Sequence, residues 1–95
     1  MAVGTIKKDP QDIIYRGLDW TDVLDKIGGG VAIASSVWSA PAGITIGEYN
    51  TFSGAKTKVK ISGGETGEAY DIINHVVLTD TQEYDRSLHV VVEQL

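Results

Sequence analysis

The segment Lys56-Thr57-Lys58-Val59-Lys60-Ile61 alternates between polar and apolar residues without interruption. Such a period of two predicts a half-buried strand with Val59 and Ile61 inward and the lysines toward water. Ile44-Thr45-Ile46-Gly47-Glu48-Tyr49 repeats the pattern, with Ile44 and Ile46 on one face. From Tyr70 to Leu78, the residues Tyr70, Ile72, Asn74, Val76 and Leu78 share one parity, while Ile73 and Val77 fall on the other. Both faces of that strand are therefore expected to be covered. From Tyr84 to Glu93, Leu88, Val90 and Val92 point inward, and Ser87, His89, Val91 and Glu93 outward. In Val31–Trp38, Ile33 and Val37 share a parity that Trp38 breaks. Either a bulge near Ser35-Ser36 shifts the register or both faces are partly covered. The short run Ile13-Ile14-Tyr15, bracketed by Pro10 and Gly17, reads as the first strand.

Between the strands lie turns and one helical signal. Asp19 or Thr21 can cap a short helix in which Trp20, Val23 and Leu24 share a side, and Gly28-Gly29-Gly30 stops it. Ser62-Gly63-Gly64-Glu65-Thr66-Gly67 is a glycine turn that leads into the strand from Tyr70. Gly67 three residues before Tyr70 has the spacing of a tyrosine corner, in which the phenol packs inward and its hydroxyl bonds back to the preceding loop. Six strands with Gly and Pro turns between them predict an all-β, Ig-like antiparallel β-sandwich with one helical turn near Trp20. The domain is expected over 13–95, with 1–12 as a flexible N-terminal arm because Lys7-Lys8-Asp9-Pro10 is polar and ends in proline.

Composition narrows the function. A chain of 95 residues supports one modest core. The absence of Cys excludes a disulfide frame, a thiolate zinc site and a thiol nucleophile. A formal net charge of −5 argues against nucleic acid, whose phosphates call for a basic stripe. No stretch approaches the ~20 apolar residues of a membrane span. The start of the chain also lacks the apolar run of a signal peptide.

Candidate chemistry is sparse. His75 and His89 could be cross-strand neighbours and form a two-histidine metal site, but no third ligand has recognisable spacing, and solvent-facing strand positions are the simpler reading. Glu65, Glu68 and Asp71, and likewise Asp80, Glu83 and Asp85, cluster at turns without the cleft a glycosidase needs. The glycine turns lack the Lys-Ser/Thr of a phosphate-binding loop, and there is no Gly-x-Ser-x-Gly. Lys56, Lys58 and Lys60 read as an edge strand protected by charge rather than as a polyanion site. Trp20 and Trp38 are expected in the core with Tyr70, Ile72, Val76, Leu88 and Val90; exposed, either indole could serve as a sugar platform.

Four segments carry a family resemblance. They are Leu18-Asp19-Trp20-Thr21-Asp22-Val23-Leu24, Ile33 to Gly43 with its Ile-x-x-Ser-x-x-Trp-x-x-Pro pattern, Val59 to Tyr70 with Ser-Gly-Gly-x-x-Gly-x-x-Tyr, and Asp85-Arg86-Ser87-Leu88. Together and in this order they resemble small tailed-phage virion proteins known as fibre–tail adaptors. The chain departs from the family's Thr-rich stretch after the tyrosine, where it has Ile72-Ile73-Asn74-His75-Val76-Val77. The resemblance implies an Ig-like structural protein present in several copies in a virion assembled in the host bacterial cytoplasm. It implies tail, neck or fibre proteins as partners and no enzymatic role; from the residues themselves no cofactor, metal, nucleic acid or membrane is expected. The outward apolar residues Ile73, Val77 and Val91, and Ile6 on the arm, are the expected docking positions; Trp20, Trp38, Tyr70 and Gly67 are expected to be structural. A carbohydrate-binding Ig-like module is the alternative.

Overall fold

The computed structural model describes residues 2–94. In chain order its elements are β1 (Ala2–Lys8), β2 (Ile14–Asp19), α1 (Thr21–Ile27), β3 (Ile33–Ser39), β4 (Ile44–Ser53), β5 (Lys56–Gly63), β6 (Ala69–Leu78) and β7 (Glu83–Val92). The strands form two sheets, ordered β1-β7-β6-β3 and β2-β5-β4. Between them lies a core with two centres. Trp38, Tyr70, Ile72, Val59, Ile61 and Val90 build the larger; Trp20, Ile33, Val76 and Leu78 build the smaller, under α1.

The N-terminal segment is not a loose arm. Ala2–Lys8 pairs with β7, and it does so in parallel, with Ile6 opposite Val90 and Lys8 opposite Val92. The sandwich is thus antiparallel except at this edge. Lys8 shows why the segment is held. Its side chain is fully buried, and its ammonium donates to the carbonyls of Gly63 at 2.7 Å and Asp9 at 2.8 Å. The Gly63 bond ties an edge strand of one sheet to the end of the central strand of the other. Burial pulls the Lys8 pKa below its ordinary value, against the raising influence of Asp12 and Asp9. The pair Lys7-Lys8 looked uniformly polar, yet only Lys7 faces outward, where it meets Glu93 at 3.3 Å.

Two irregularities re-aim side chains. The β3–β6 register shifts between Ile33 and Ser35, so Ile33, Ser36 and Trp38 all face inward and Val37 faces out. The ambiguous alternation of that segment therefore resolves as a bulge. β4 continues through Asn50 to Ser53 with a second irregularity between Gly47 and Thr51. Gly17 does not end the first strand but lies inside β2, where a Cβ would fall 2.0 Å from the Thr57 carbonyl oxygen.

The tyrosine corner closes the end of the sandwich near the glycine turn. The Tyr70 hydroxyl accepts the Glu65 N–H at 3.1 Å. Gly43 (φ +101) and Gly64 (φ +91) press against the ring; a Cβ on Gly64 would also meet Val92 Cγ2 at 2.7 Å. Gly67 donates its N–H to the Val92 carbonyl at 2.8 Å, fastening the turn to β7.

Candidate docking face

Asn74 links both sheets and α1. Its Oδ1 accepts from Trp20 Nε1 at 2.9 Å and Thr57 Oγ1 at 2.8 Å, and its Nδ2 donates to Ser36 Oγ at 2.9 Å and the Val37 carbonyl at 3.3 Å. Every donor and acceptor of this fully buried amide is used. The helix is seated over the same point. Asp19 Oδ1 accepts the Thr21 N–H at 2.9 Å and so holds the chain as it enters α1. Arg86 on β7 lies 4.6 Å from the Trp20 ring centre and pairs with Asp22 through both carboxylate oxygens, at 2.9 and 3.3 Å. The Asp-Trp and Asp-Arg segments, far apart in sequence, thus meet in one contact.

With the inner positions filled, the outer face of the four-stranded sheet is set by register. Directly opposed residues share a face. Its rows are Ser35–Val77–Glu83, Val37–His75–Asp85, Ser39–Ile73–Ser87, Asp71–His89–Thr5 and Ala69–Val91–Lys7. Val37 and Ile73 are exposed at 47% and 41%, while Val77 and Val91 are half-buried. Ile73, Val77 and Val91 are therefore on the expected face. Val37 joins them; its parity in sequence concealed this because the bulge lies just before it. Ile6 is a correction. Opposite Val90, it packs against the core and cannot belong to the outer face.

The histidines do not come together. His75 faces Asp85 and His89 faces Asp71, and the two rows lie four residues apart along β6, about 13 Å at strand rise. His75 has a carboxylate at each ring nitrogen: Asp85 at Nδ1, 2.5 Å, and Glu83 at Nε2, 2.8 Å. Both contacts are hydrogen bonds only when both nitrogens carry protons, so the pair of carboxylates favours the imidazolium form. Asp85 and then Glu83 raise its pKa above the ordinary histidine value. Because the carboxylates sit at opposite ring nitrogens, they share no point where a metal could be held. Among the described residues no group of three His, Asp or Glu side chains is so placed.

Trp20 and Trp38 are buried, at 0% and 2% exposure, so neither can present a ring to a sugar. Lys56, Lys58 and Lys60 do point outward from the three-stranded sheet, but β5 lies between β2 and β4. The reading of these lysines as edge protection therefore fails: they stand on the central strand. Next to them a shallow depression of about 300 Å³ is lined by Thr51, Phe52, Ser53, Lys56, Thr57 and Lys58, with no acid or histidine among them.

Comparison with known proteins gives two matches. A family model described as podophage GP4 fiber-tail adaptor protein gp77 matches residues 8–91. The solution structure of the PKD domain from KIAA 1837 protein superposes with a TM-score of 0.57 at 19% identity, covering 84% of this chain and 72% of that one. At that identity the likeness concerns the fold alone, an Ig-like sandwich. No curated protein matches the sequence.

Proposed function

The chain belongs to the podophage fibre–tail adaptor family, and from that premise we propose that it is a non-enzymatic structural adaptor of a tailed-phage particle. It docks through the outer face of the four-stranded sheet. The observation that carries this reading is the apolar set on that face: Val37, Ile73, Val77 and Val91 stand outward on a sandwich whose tryptophans and Tyr70 are already used inside. Outward apolar residues rimmed by charged pairs are the composition of a protein interface. The adaptor acts in several copies within the virion, among other tail or fibre proteins, and the occupant of this face is one of these virion components. Docking by an N-terminal arm drops out of the reading, since Ala2–Lys8 is occupied in the sheet. The carbohydrate-module reading loses the exposed tryptophan it was built on.

Phage carrying Val77→Lys tests this. The expected result is particles that lack the protein, while the purified variant melts as the wild type does. Normal incorporation of the variant overturns the docking face.

A further inference from the structure

The two outer faces of the sandwich carry opposite charge. On the four-stranded sheet, Asp71, Glu83 and Asp85 each give one carboxylate oxygen to a histidine and keep side chains 58–62% exposed. Three carboxylates shared by two histidines leave this face negative. On the three-stranded sheet, Lys56, Lys58 and Lys60 form a row down the central strand. Among the described residues none of the three has a carboxylate within ion-pair distance; Asp19 faces Lys56 and feels its charge, while Lys58 and Lys60 face Gly17 and Tyr15. Lys58 lies over the exposed Tyr15 ring at 4.9 Å. A lysine row in which only Lys56 faces an acid across the sheet is conspicuous in a chain with 13 acidic and 8 basic residues.

We propose that the acidic, apolar face of one copy docks on the lysine–tyrosine face of a second copy, front to back. This rests on the reading of the first face as a docking surface and names its occupant. Three observations select the arrangement. Charge sign is complementary between the two faces, whereas either face against itself would set acids against acids or lysines against lysines. Spacing agrees: Lys56 to Lys60 spans four residues, about 13 Å, and so do the Asp71 and Asp85 rows. Apolar complementarity follows from the lysine stems and the Tyr15 ring, which can cover Val37, Ile73 and Val77 while the ammonium groups reach the free carboxylate oxygens. A front-to-back contact uses two different surfaces of each copy, so each copy can hold two neighbours.

Sedimentation velocity on the full chain at low and high salt tests the arrangement. Two variants are used: Lys58→Glu with Lys60→Glu, and Asp71→Lys with Glu83→Lys. Wild type is expected to associate at low salt and to dissociate at least tenfold more readily at high salt. Each variant alone is expected to sediment as a monomer and to keep a single cooperative melting transition, lowered in the Asp71/Glu83 variant by loss of the histidine contacts. Mixed, the two variants present faces of opposite charge at every contact between unlike copies, so they are expected to associate with each other although neither associates alone. A monomeric wild type, a salt-indifferent dimer, or association of the lysine variant alone overturns the proposal. Failure here, with Val77→Lys still excluded from particles, assigns the face to another virion protein and leaves the docking reading standing. Normal incorporation of Val77→Lys removes that reading independently.

Discussion

Trp20 donates its indole N–H to Asn74 Oδ1 at 2.9 Å, across 54 positions of sequence. The bond joins the residue preceding α1 to the middle of β6, and Asn74 extends it to β3 and β5 through Ser36 and Thr57. A buried amide with every group satisfied fixes one packing of helix on sheets, because any slip orphans several donors at once.

Asn74→Ala removes that hub. It leaves the Trp20 N–H and two hydroxyls in a dry interior, at about 1–3 kcal/mol for each group that finds no new partner. Urea denaturation should show a loss of about 3–5 kcal/mol. A loss below about 1 kcal/mol would mean that the network contributes shape and little energy.

The two tryptophans should respond differently to phenylalanine. Trp38 Nε1 is the buried side-chain polar atom without a partner among the described residues, whereas Trp20 Nε1 is bonded and its ring carries Arg86. Both substitutions remove similar ring volume. Trp20→Phe should therefore be the more destabilising by about 1–3 kcal/mol. Equal losses in parallel melts would show that volume alone decides.

His75 makes stability depend on pH in a stated direction. Its folded pKa is raised by Asp85 and then Glu83 above 6.5. The clamp between β6 and β7 is thus fully present below the unfolded value and is lost as pH rises through the folded one. Melting temperatures of wild type and His75→Gln should converge as pH is raised from 6 to 9. A gap that stays constant across that range would refute the imidazolium assignment.

Lys8→Met keeps the stem and removes the ammonium. The carbonyls of Gly63 and Pro10 lose the ammonium donor, while that of Asp9 keeps the Asp12 N–H. The expected cost is about 1–3 kcal/mol. Hydrogen exchange should show the Glu93 amide, which bonds to the Lys8 carbonyl, exchanging faster than in wild type. Unchanged exchange there would show that β1 is held by its backbone ladder alone.

Residues that depend on local period were legible in the sequence, and those that depend on distant partners were not. Lys56–Ile61 alternates on one strand and needs no knowledge of its neighbours. The Tyr70 corner was readable because glycine spacing and a strand start coincide. Ile73, Val77 and Val91 could be placed on the outer face by parity alone. Val37 could not, since a one-residue bulge inverts everything after it. Lys8 is harder still: its burial follows from the Gly63 carbonyl, reached only when β1 finds β7. The position of β5 inside its sheet, which overturned the reading of its lysines, is a fact of strand order and leaves no trace in the residues themselves.

The parallel pairing of β1 with β7 has a mechanical consequence. Tension applied between the start of β1 and the end of β7 pulls the two strands past one another lengthwise. The ladder from Gly4–Leu88 to Lys8–Val92 is then loaded in shear, so its bonds share the force rather than unzipping one by one. The buried ammonium at the far end of β1 acts as a stop against that sliding. A component that transmits strain along a particle would resist rupture at this edge, whatever grips its two faces.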